Sequence, residues 1–343
     1  MATMRQIAQL ANVSTATVSR VLANNPHIRP EVRQRVLDIV QLFRYRSNRL
    51  AAETSATPTT RIACIVSSVS SEYYGRVLSG VLEAGAEKLC HIHIVQTHYV
   101  LAKACEAIMQ IAEQPFDGIL FMTGQREPLP HSTLLALWSH NIIPIAIDYQ
   151  QLAEVDQVLT DEEALGEQLV NYLMRLGHRR IGYLGGTTDR EMPLIHFPAL
   201  THAMKRSGLG QFVREDYVAD FDTFSAEILA DPEPPTALIA GDGCAGQFIQ
   251  HAGRHGIRIP QEISVAGCGN MPFAERLSPP LTTMEQYPEK IGRRAIELLV
   301  RRISEGHTGC DYTPETILVP VDLIIRDSCG KPRRTSRIMP KHT

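Results

Sequence analysis

A short stretch near the start of the chain, ANVSTATVSRVLANN at residues 11–25, carries hydrogen-bonding side chains at helical spacing. In a helix, one face of this stretch would consist of Thr15, Ala16, Ser19 and Arg20. An arginine guanidinium can donate two hydrogen bonds to the O6 and N7 atoms of guanine, which is the commonest specific contact to a base edge. Because the neighbouring side chains are short, such a helix could approach closely. The stretch therefore predicts a helix that lies in the major groove of DNA.

Other polar side chains of this segment suit contacts to phosphate oxygens of the DNA backbone. The candidates are Thr17, Ser19 and Asn25. Residues 1–50 hold eight arginines and two acidic residues, a net charge of +6, and because the whole chain carries −3 the remainder carries −9. A small basic segment joined to an acidic body indicates that the segment meets a polyanion. A merely solvated basic face is the alternative that charge alone leaves open.

Three helices must position these side chains. Thr3 and Gln6 fit a capping box that starts a first helix over residues 4–10. Ser14 can cap a second helix, and Pro30 suits the first position of a third. The apolar side chains that should pack these helices together are Ala8, Val13, Val18 and Val21, with Val32, Val36, Ile39, Val40 and Phe43 on the third helix. The pattern is typical of a helix-turn-helix head.

From residue 61 onward, short β-branched runs alternate with amphipathic helical segments. The strand-like runs are RIACIV, HIHIV, DGILFM and IPIAID, followed by RRIGYLGG, TALIAGD and ISVAGCG. Such alternation is typical of βαβ units, and two sets in tandem predict two doubly wound lobes. The expected fold class is α/β, with a small all-α helix-turn-helix head and a two-lobed effector domain. Ligands of such sheets bind outside the carboxyl ends of the strands, so we expect a site in the cleft between the lobes.

The composition excludes several classes of protein. With 343 residues, of which 44% are hydrophobic and 21% charged, the chain is long enough for two or three globular domains. No signal-peptide pattern and no 18-residue apolar segment occur, so we expect a cytoplasmic protein without membrane contact. The seven cysteines form no CxxC pair and are expected to be reduced thiols. Since catalytic and phosphate-loop motifs are also missing, we expect no enzyme activity, no cofactor and no metal site, and we interpret His91 and His93 as packing residues.

The head sequence MRQIAQLANVSTATVSRVLANN, followed by VRQRVLDIVQLFRYRSN, resembles the DNA-binding head of the lactose-repressor (LacI/GalR) family of bacterial regulators. GHRRIGYLGG, GIRIPQEISVAGCGN and PPLTTMEQ extend the resemblance to the body, over residues 61–329. It implies the fold of periplasmic sugar-binding proteins, a homodimer with tetramers left open, a double-stranded DNA operator and a sugar-type effector. The implied segments are a head at 1–46, a hinge at 47–60, an N-terminal lobe at 61–160 and 287–320, a C-terminal lobe at 161–286 and 321–329, and a basic, disordered tail at 330–343.

The hinge segment departs from the family pattern. In the family, paired hinge helices insert a leucine into the minor groove, whereas counting along NRLAAETSATPTT places Thr54 at that position. Threonine is a poor wedge between base steps, so we expect less DNA bending than the resemblance implies. Arg49 can still contact the DNA backbone. A flexible linker rich in Thr, Ser and Ala is the alternative interpretation.

The resemblance also implies an effector site, of which this chain keeps only part. The residues that match the family pattern are Tyr73, Tyr74, Asp148, Arg190 and Phe221. His196 stands where the family has an arginine, Gly269 where it has an aspartate, and Gly241 where it has an asparagine. Loss of an acid near Arg190 favours an acidic or phosphorylated sugar, since the arginine is then free to bind an anion. The alternative is a neutral sugar bound by other polar residues, namely Thr123, Asp242 and Asn270.

Together these features predict a ligand-responsive transcriptional regulator, a repressor of a carbohydrate-utilisation operon that a small effector releases from its operator. Effector binding would shift the population of lobe arrangements and so change the spacing of the two heads in a dimer. Two other interpretations stay open at the level of sequence. One is a sugar-binding sensor whose head has weak or vestigial DNA binding, and the other is an enzyme on a doubly wound fold.

Overall fold

The structure of the chain is a computed structural model. It describes residues 4–22, 28–42, 59–122, 129–148, 154–185, 197–209, 214–217, 221–306 and 313–332. The residues of interest that lie outside these ranges are Thr3, Asn25, Phe43, Arg49, Thr54, Thr123, Arg190 and His196. The described residues form a three-helix head and two lobes built on separate sheets.

The head consists of three helices. They are α1 (Met4–Leu10), α2 (Thr15–Leu22) and α3 (Pro30–Leu42), as the sequence predicts. Ser14 caps α2, because its Oγ atom accepts a hydrogen bond of 3.1 Å from the amide of Thr17. Asn12 adopts a φ of 51°, in the left-handed region that asparagine tolerates, and so closes the turn between α1 and α2.

A small apolar core holds the three helices of the head together. Its predicted members are confirmed: Ala8, Val13, Val18 and Val21. Val36 of α3 is confirmed as well, and Ile7 and Ala11 complete the core; all three side chains are fully buried. Burial of the valines fixes which side of α2 faces the core, and therefore which side faces solvent.

The first lobe contains a six-stranded parallel sheet. Its strands are β1 (Arg61–Val66), β2 (His91–Gln96), β3 (Gly118–Met122), β4 (Ile143–Ile147), β5 (Asp156–Thr160) and β11 (Thr316–Val319), in the order β11-β5-β4-β3-β1-β2. One face packs against α4 (Glu72–Glu87) and α11 (Pro288–Ser304), and the other against α5 (Leu101–Ala112) and α6 (His131–Ser139). The central strands β3 and β4 are wholly buried apolar runs, as expected of strands covered on both faces.

The second lobe repeats this arrangement. Its strands are β6 (Ile181–Gly185), β7 (Arg214–Tyr217), β8 (Ala237–Ala240), β9 (Ser264–Cys268), β10 (Thr282–Glu285) and β12 (Asp322–Ile324), in the order β12-β10-β9-β8-β6-β7. Only β12 runs antiparallel to its neighbour among these described strands. The helices are α7 (Glu162–Leu176) and α8 (Phe197–Arg206) on one face, and α9 (Phe221–Ala230) and α10 (Asp242–Arg254) on the other. The expected α/β class with two doubly wound lobes is confirmed.

The chain passes between the lobes after β5, between β10 and α11, and between β11 and β12. The segment that returns to the first lobe packs closely there, because α11 and α4 meet at two glycines. A β-carbon on Gly80 would lie 2.0 Å from the carbonyl oxygen of Glu289, and one on Gly292 would lie 2.1 Å from that of Val77. Only residues without a side chain allow the two helix backbones to approach this closely.

The last described residues are anchored to the second lobe. The amide of Gly330 donates to Ser264 Oγ at 3.0 Å, and its carbonyl oxygen accepts from His178 Nε2 at 2.9 Å. Gly330 is the predicted first residue of a disordered tail; that boundary stays a prediction, but the backbone of Gly330 is hydrogen-bonded to the second lobe. The physical reason is that buried polar side chains of the lobe find their hydrogen-bond partners on the backbone of Gly330.

Within the described residues, no helix combines the length and the apolar character needed to cross a bilayer. The described cysteines are free thiols, as expected: Cys64, Cys90, Cys105, Cys244, Cys268 and Cys329. Burial raises the pKa of the Cys64 thiol and raises that of Cys244 to about 12, so both stay protonated near neutral pH.

Candidate functional site

The outer face of α2 carries the side chains predicted to read DNA. The exposed residues of this face are Thr15, Ala16, Ser19 and Arg20. Val18 and Val21 of the same helix are buried in the head core. Thr17 is half-buried, and its Oγ1 atom lies 2.9 Å from Ser14 Oγ, so this hydroxyl takes part in the helix cap. The helix thus presents a short, polar face with one arginine to solvent, which is what insertion into a major groove requires.

In the first lobe, two predicted effector residues meet at the carboxyl ends of β1 and β4. Tyr73 lies in the first turn of α4, and Asp148 directly follows β4. The Tyr73 hydroxyl donates a short hydrogen bond to Asp148 Oδ2, and the amide of Thr160 donates to Oδ1 at 2.7 Å. Burial raises the pKa of Asp148, against the opposing effect of these hydrogen bonds. The carboxylate is thus held by Tyr73 and Thr160 of its own lobe, and a carboxylate can accept further hydrogen bonds from a ligand.

Tyr74 packs beside Tyr73 in the same apolar core, and the two rings meet edge to face with centroids 5.7 Å apart. The Tyr74 side chain is 1% exposed and packs in the apolar core between the first sheet and α4. Successive residues of a helix point about 100° apart, and it is the Tyr73 hydroxyl that donates to Asp148. The assignment of Tyr74 to the effector site stays a prediction that its burial does not favour.

In the second lobe, hydrogen bonds to Asp242 hold the loop that follows β9 against strand β10. Asp242 begins α10, where its Oδ1 accepts from Thr283 Oγ1 at 2.6 Å and its Oδ2 from the amide of Met271 at 2.8 Å. The side chain is almost fully buried, and burial raises its pKa to about 6 in spite of both hydrogen bonds. The first role of Asp242 is therefore structural, because its hydrogen bonds stabilise the loop that borders the cleft.

The same loop accounts physically for the glycine at position 269. Gly269 adopts a φ of 130°, and a β-carbon there would lie 2.8 Å from Met271 Cε. An aspartate at this position would be strained by the backbone alone. The loop therefore supplies no side chain to the cleft at Gly269.

Asn270, the next predicted effector residue, is oriented by charged partners at both ends of its amide. Its Nδ2 atom donates to Glu285 Oε2 at 2.7 Å, and its Oδ1 atom accepts from Arg326 Nη2 at 2.8 Å. Its φ of 45° again lies in the left-handed region, which asparagine tolerates. A ligand would meet an amide whose orientation the protein has already fixed.

Arg76 of α4 crosses from the first lobe to the second. It donates to Glu289 from Nε at 2.7 Å and from Nη2 at 2.9 Å, and its Nη1 atom reaches the carbonyl oxygen of Gly269 at 3.3 Å. Its Nη2 atom also lies 3.4 Å from Glu285 Oε1. Sequence reasoning missed Arg76, although its position one helical turn after Tyr73 could have indicated that it faces the same edge of the sheet.

Phe221, at the start of α9, contacts α10. Its ring packs against Phe248 and His251 of α10, with centroids 6.1 and 6.0 Å away. Those positions lie about two turns along α10 from Asp242, roughly 9 to 13 Å at 1.5 Å per residue. Among the described residues, the ring packs on the core between α9, α10 and the sheet, and the assignment of Phe221 to the effector site stays a prediction.

Asp242→Asn is expected to remove a pH dependence of stability. Because the folded-state pKa of about 6 exceeds the ordinary 3.8, the folded protein holds a proton that the unfolded chain has lost between about pH 4 and pH 6. The bound proton contributes fully to the free energy of unfolding below the ordinary pKa. This contribution is lost as pH rises through about 6, by up to about 1.4 kcal/mol per pH unit. Urea unfolding across this range should show the variant gaining stability over the native chain as pH rises.

Asp327→Asn provides the control for this experiment, because Asp327 is exposed. It should leave the pH dependence of the native chain unchanged. If Asp242→Asn and the native chain lose stability in parallel between pH 4 and 6, the buried carboxyl group does not take up the proton and the argument from burial fails.

Comparison with known proteins matches the head and the body separately. Residues 3–48 match the bacterial regulatory proteins of the lacI family, and residues 170–329 match the periplasmic binding protein-like domain. The HTH-type transcriptional regulator DegA of Bacillus subtilis is 29% identical over 336 residues, covering 95% of this chain and 97% of DegA. The HTH-type transcriptional repressor CytR of Escherichia coli is 29% identical over 339 residues, covering 95% of this chain and 96% of CytR.

Solved structures share the fold along almost the whole chain. The Lac repressor dimer bound to operator and the anti-inducer ONPF aligns with a TM-score of 0.67 at 21% identity, over 96% of this chain and 99% of that one. The complex of the transcriptional regulator CelR with cellobiose aligns with a TM-score of 0.65 at 22% identity, over 96% of this chain and 100% of that one. The chain therefore combines a DNA-binding head of the lacI type with a periplasmic binding protein-like domain, and it aligns along nearly its full length with HTH-type transcriptional regulators.

Proposed function

We propose that this protein is a ligand-responsive transcriptional repressor. Its head binds an operator in double-stranded DNA, and its two lobes bind a small effector that changes the affinity of the head for that operator. The observation that carries the proposal is the exposed polar face of α2, with Arg20 at solvent and the valines of the same helix buried. A head without DNA binding would have no need of an arginine and short polar side chains on one solvent face.

The effector we propose is a sugar-type molecule: a sugar, a sugar acid or a sugar phosphate. Structural neighbours of this chain have been solved with cellobiose, sucrose and ribose. In the present chain, carboxylate and amide side chains lie at the carboxyl ends of the strands in both lobes, with Asp148 in the first and Asp242 and Asn270 in the second. Oriented carboxylate and amide groups of this kind suit the vicinal hydroxyls of a sugar.

The mechanism we propose is a shift between lobe arrangements in a homodimer. Arg76 contacts both lobes, so its hydrogen bonds to Gly269 and Glu285 exist only when the lobes are held as observed. A ligand that binds one arrangement of the lobes more tightly raises the population of that arrangement. The spacing of the two heads in the dimer then changes with it. This role requires access to chromosomal DNA, so we place the protein in the cytoplasm, and we assign it no catalytic activity.

The proposal is tested with the full-length protein in two steps. Repeated selection from random duplex DNA should enrich a pseudo-palindromic operator with half-sites about one helical turn apart. A thermal-shift screen of neutral sugars, sugar acids and sugar phosphates should then yield a ligand that raises Tm and changes operator affinity. Failure to enrich any sequence, together with tight binding of a sugar, would favour a sensor with a vestigial head.

Arg20→Ala is expected to weaken operator binding by about 1–3 kcal/mol and to relax the preference at one base pair. The reason is the loss of two hydrogen bonds from the guanidinium to a guanine edge. The effect is measured by titrating the selected operator, and single-base variants of it, with native and variant protein.

Arg35→Ala serves as the matched control, since Arg35 is an exposed arginine of α3 whose loss changes the charge of the head by the same amount. It should weaken binding to all sequences uniformly, if at all. If both variants lost the same operator affinity and kept the base preference of the native protein, Arg20 would contribute only its charge to binding.

A further inference from the structure

A cluster of metal-ligating side chains lies on the second lobe, away from the cleft. His251 lies in the last turn of α10, and His255 follows that helix directly, four residues later. Their rings stack with centroids 4.2 Å apart. Asp222, in the first turn of α9, places its Oδ1 atom 3.1 Å from His255 Nε2 and 3.6 Å from His251 Nδ1. Three ligand atoms from two helices thus lie within 4.8 Å of one another.

We propose that Asp222, His251 and His255 form a binding site for a divalent transition metal ion such as Zn²⁺. Imidazole nitrogens and a carboxylate oxygen are ligands that this class of ion prefers. Ligand atoms bound tetrahedrally at about 2.0–2.1 Å lie about 3.3 Å apart. The distances of 3.1 and 3.6 Å from the aspartate to the two histidines bracket this value. Three protein ligands leave a fourth position for water.

The surroundings of the cluster favour a metal ion over a simple ion pair. The ring of Phe221 packs 6.0 Å from that of His251, which is 9% exposed, so this imidazole is held in place. The three ligand atoms converge from two neighbouring elements, so one ion can bind all of them at once. Asp222 and His255 are exposed, which gives an ion from solution direct access to the ligands.

A bound ion would join α9 to α10, through Asp222 on the first helix and His251 on the second. The ion would therefore stabilise the outer layer of the second lobe, because a ligand that binds only the folded state adds to its stability. This role is independent of operator binding and of the effector cleft, since Asp242 lies at the opposite end of α10.

The experiment uses full-length protein that has been stripped with a chelator and dialysed. Titration with Zn²⁺ alone, followed by calorimetry and by Tm, should show one site per chain and a rise in Tm. Asp222→Asn and His255→Gln should each weaken binding by more than about tenfold, since even changes to groups behind the ligands cost 10–100-fold. Because both residues are exposed, the variants should keep the Tm of the metal-free native chain.

The matched control is the double variant His91→Gln/His93→Gln, which removes the closely spaced histidines of β2 and should leave Zn²⁺ affinity unchanged. Replacement of Zn²⁺ by Co²⁺ identifies the ligand atoms: a nitrogen and oxygen set gives ligand-field bands without the intense sulfur-to-metal band of a thiolate. The proposal is overturned if Zn²⁺ does not bind, if His255→Gln binds it as tightly as the native chain, or if the Co²⁺ spectrum shows cysteine ligation.

Discussion

Replacing Arg302 with methionine is expected to lower the free energy of unfolding by about 3–5 kcal/mol. The guanidinium of Arg302 donates to both oxygens of Asp156, from Nε at 2.8 Å and from Nη2 at 2.9 Å. Asp156 is fully buried, so a carboxylate that loses its cation cannot recover its hydration. Methionine keeps much of the side-chain volume, and the expected loss therefore comes from the unpaired charge. The pair joins β5 to α11, the helix that returns from the second lobe to the first.

Two further variants distinguish the effect of the unpaired buried charge on stability from the effect of altered side-chain packing. In the Arg302→Met background, Asp156→Asn should recover part of the loss, because it removes the charge and keeps an oxygen that can accept from the amide of Glu315, now 2.7 Å from Asp156 Oδ1. Arg301→Met affects an exposed arginine that pairs with Glu315 at 2.6 Å and should change stability by less than about 1 kcal/mol. Chemical denaturation that gave equal losses for Arg301→Met and Arg302→Met would contradict the assignment.

Gly292→Ala is expected to cost about 3 kcal/mol, at the upper end of what overpacking costs in a core. The added methyl group would lie 2.1 Å from the carbonyl oxygen of Val77 and 2.8 Å from the amide nitrogen of Val81. Both atoms belong to the backbone of α4, so no side chain can rotate out of the way and the two helices must separate. Because α4 carries Arg76 and α11 carries Glu289, the separation should also weaken the contact between the lobes.

Gly253→Ala is the matched control, since Gly253 also lies within a helix but a β-carbon there would meet no atom within 4 Å. It should stabilise the protein by about 0.5–1 kcal/mol, because alanine loses less backbone freedom on folding. The two variants are compared by urea unfolding. A loss at Gly292 no larger than an ordinary helix-propensity effect would show that α4 and α11 can move apart freely.

The head is the part of the protein that its sequence predicts most completely. Ser14, Pro30 and the valine spacing of α2 act within a few residues of the chain, and local signals of that kind fixed the three helices and the outward face of Arg20. The alternation of strand and helix likewise predicted both doubly wound lobes, since βαβ units leave few ways to cover a parallel sheet.

The candidate effector site could be predicted only in part. Tyr73 and Asp148 lie at the strand ends, as topology requires, and hydrogen bond to each other. Tyr73 and Tyr74 are both buried in the same core, and Phe221 packs about two turns along α10 from Asp242. A residue's place in a motif says which element carries it, but the direction of its side chain depends on how that element packs.

What the sequence by itself determined is therefore local: the helix starts, the strand runs, the polar face of α2 and the fold class that follows from their order. The tertiary structure alone decided which distant side chains meet. Arg76 and Glu285 are 209 residues apart in the chain, and Asp222 joins His251 and His255 only because α9 packs beside α10. The physical reason is that periodicity and capping depend on neighbours along the chain, whereas hydrogen bonds and ligand sets depend on neighbours in space.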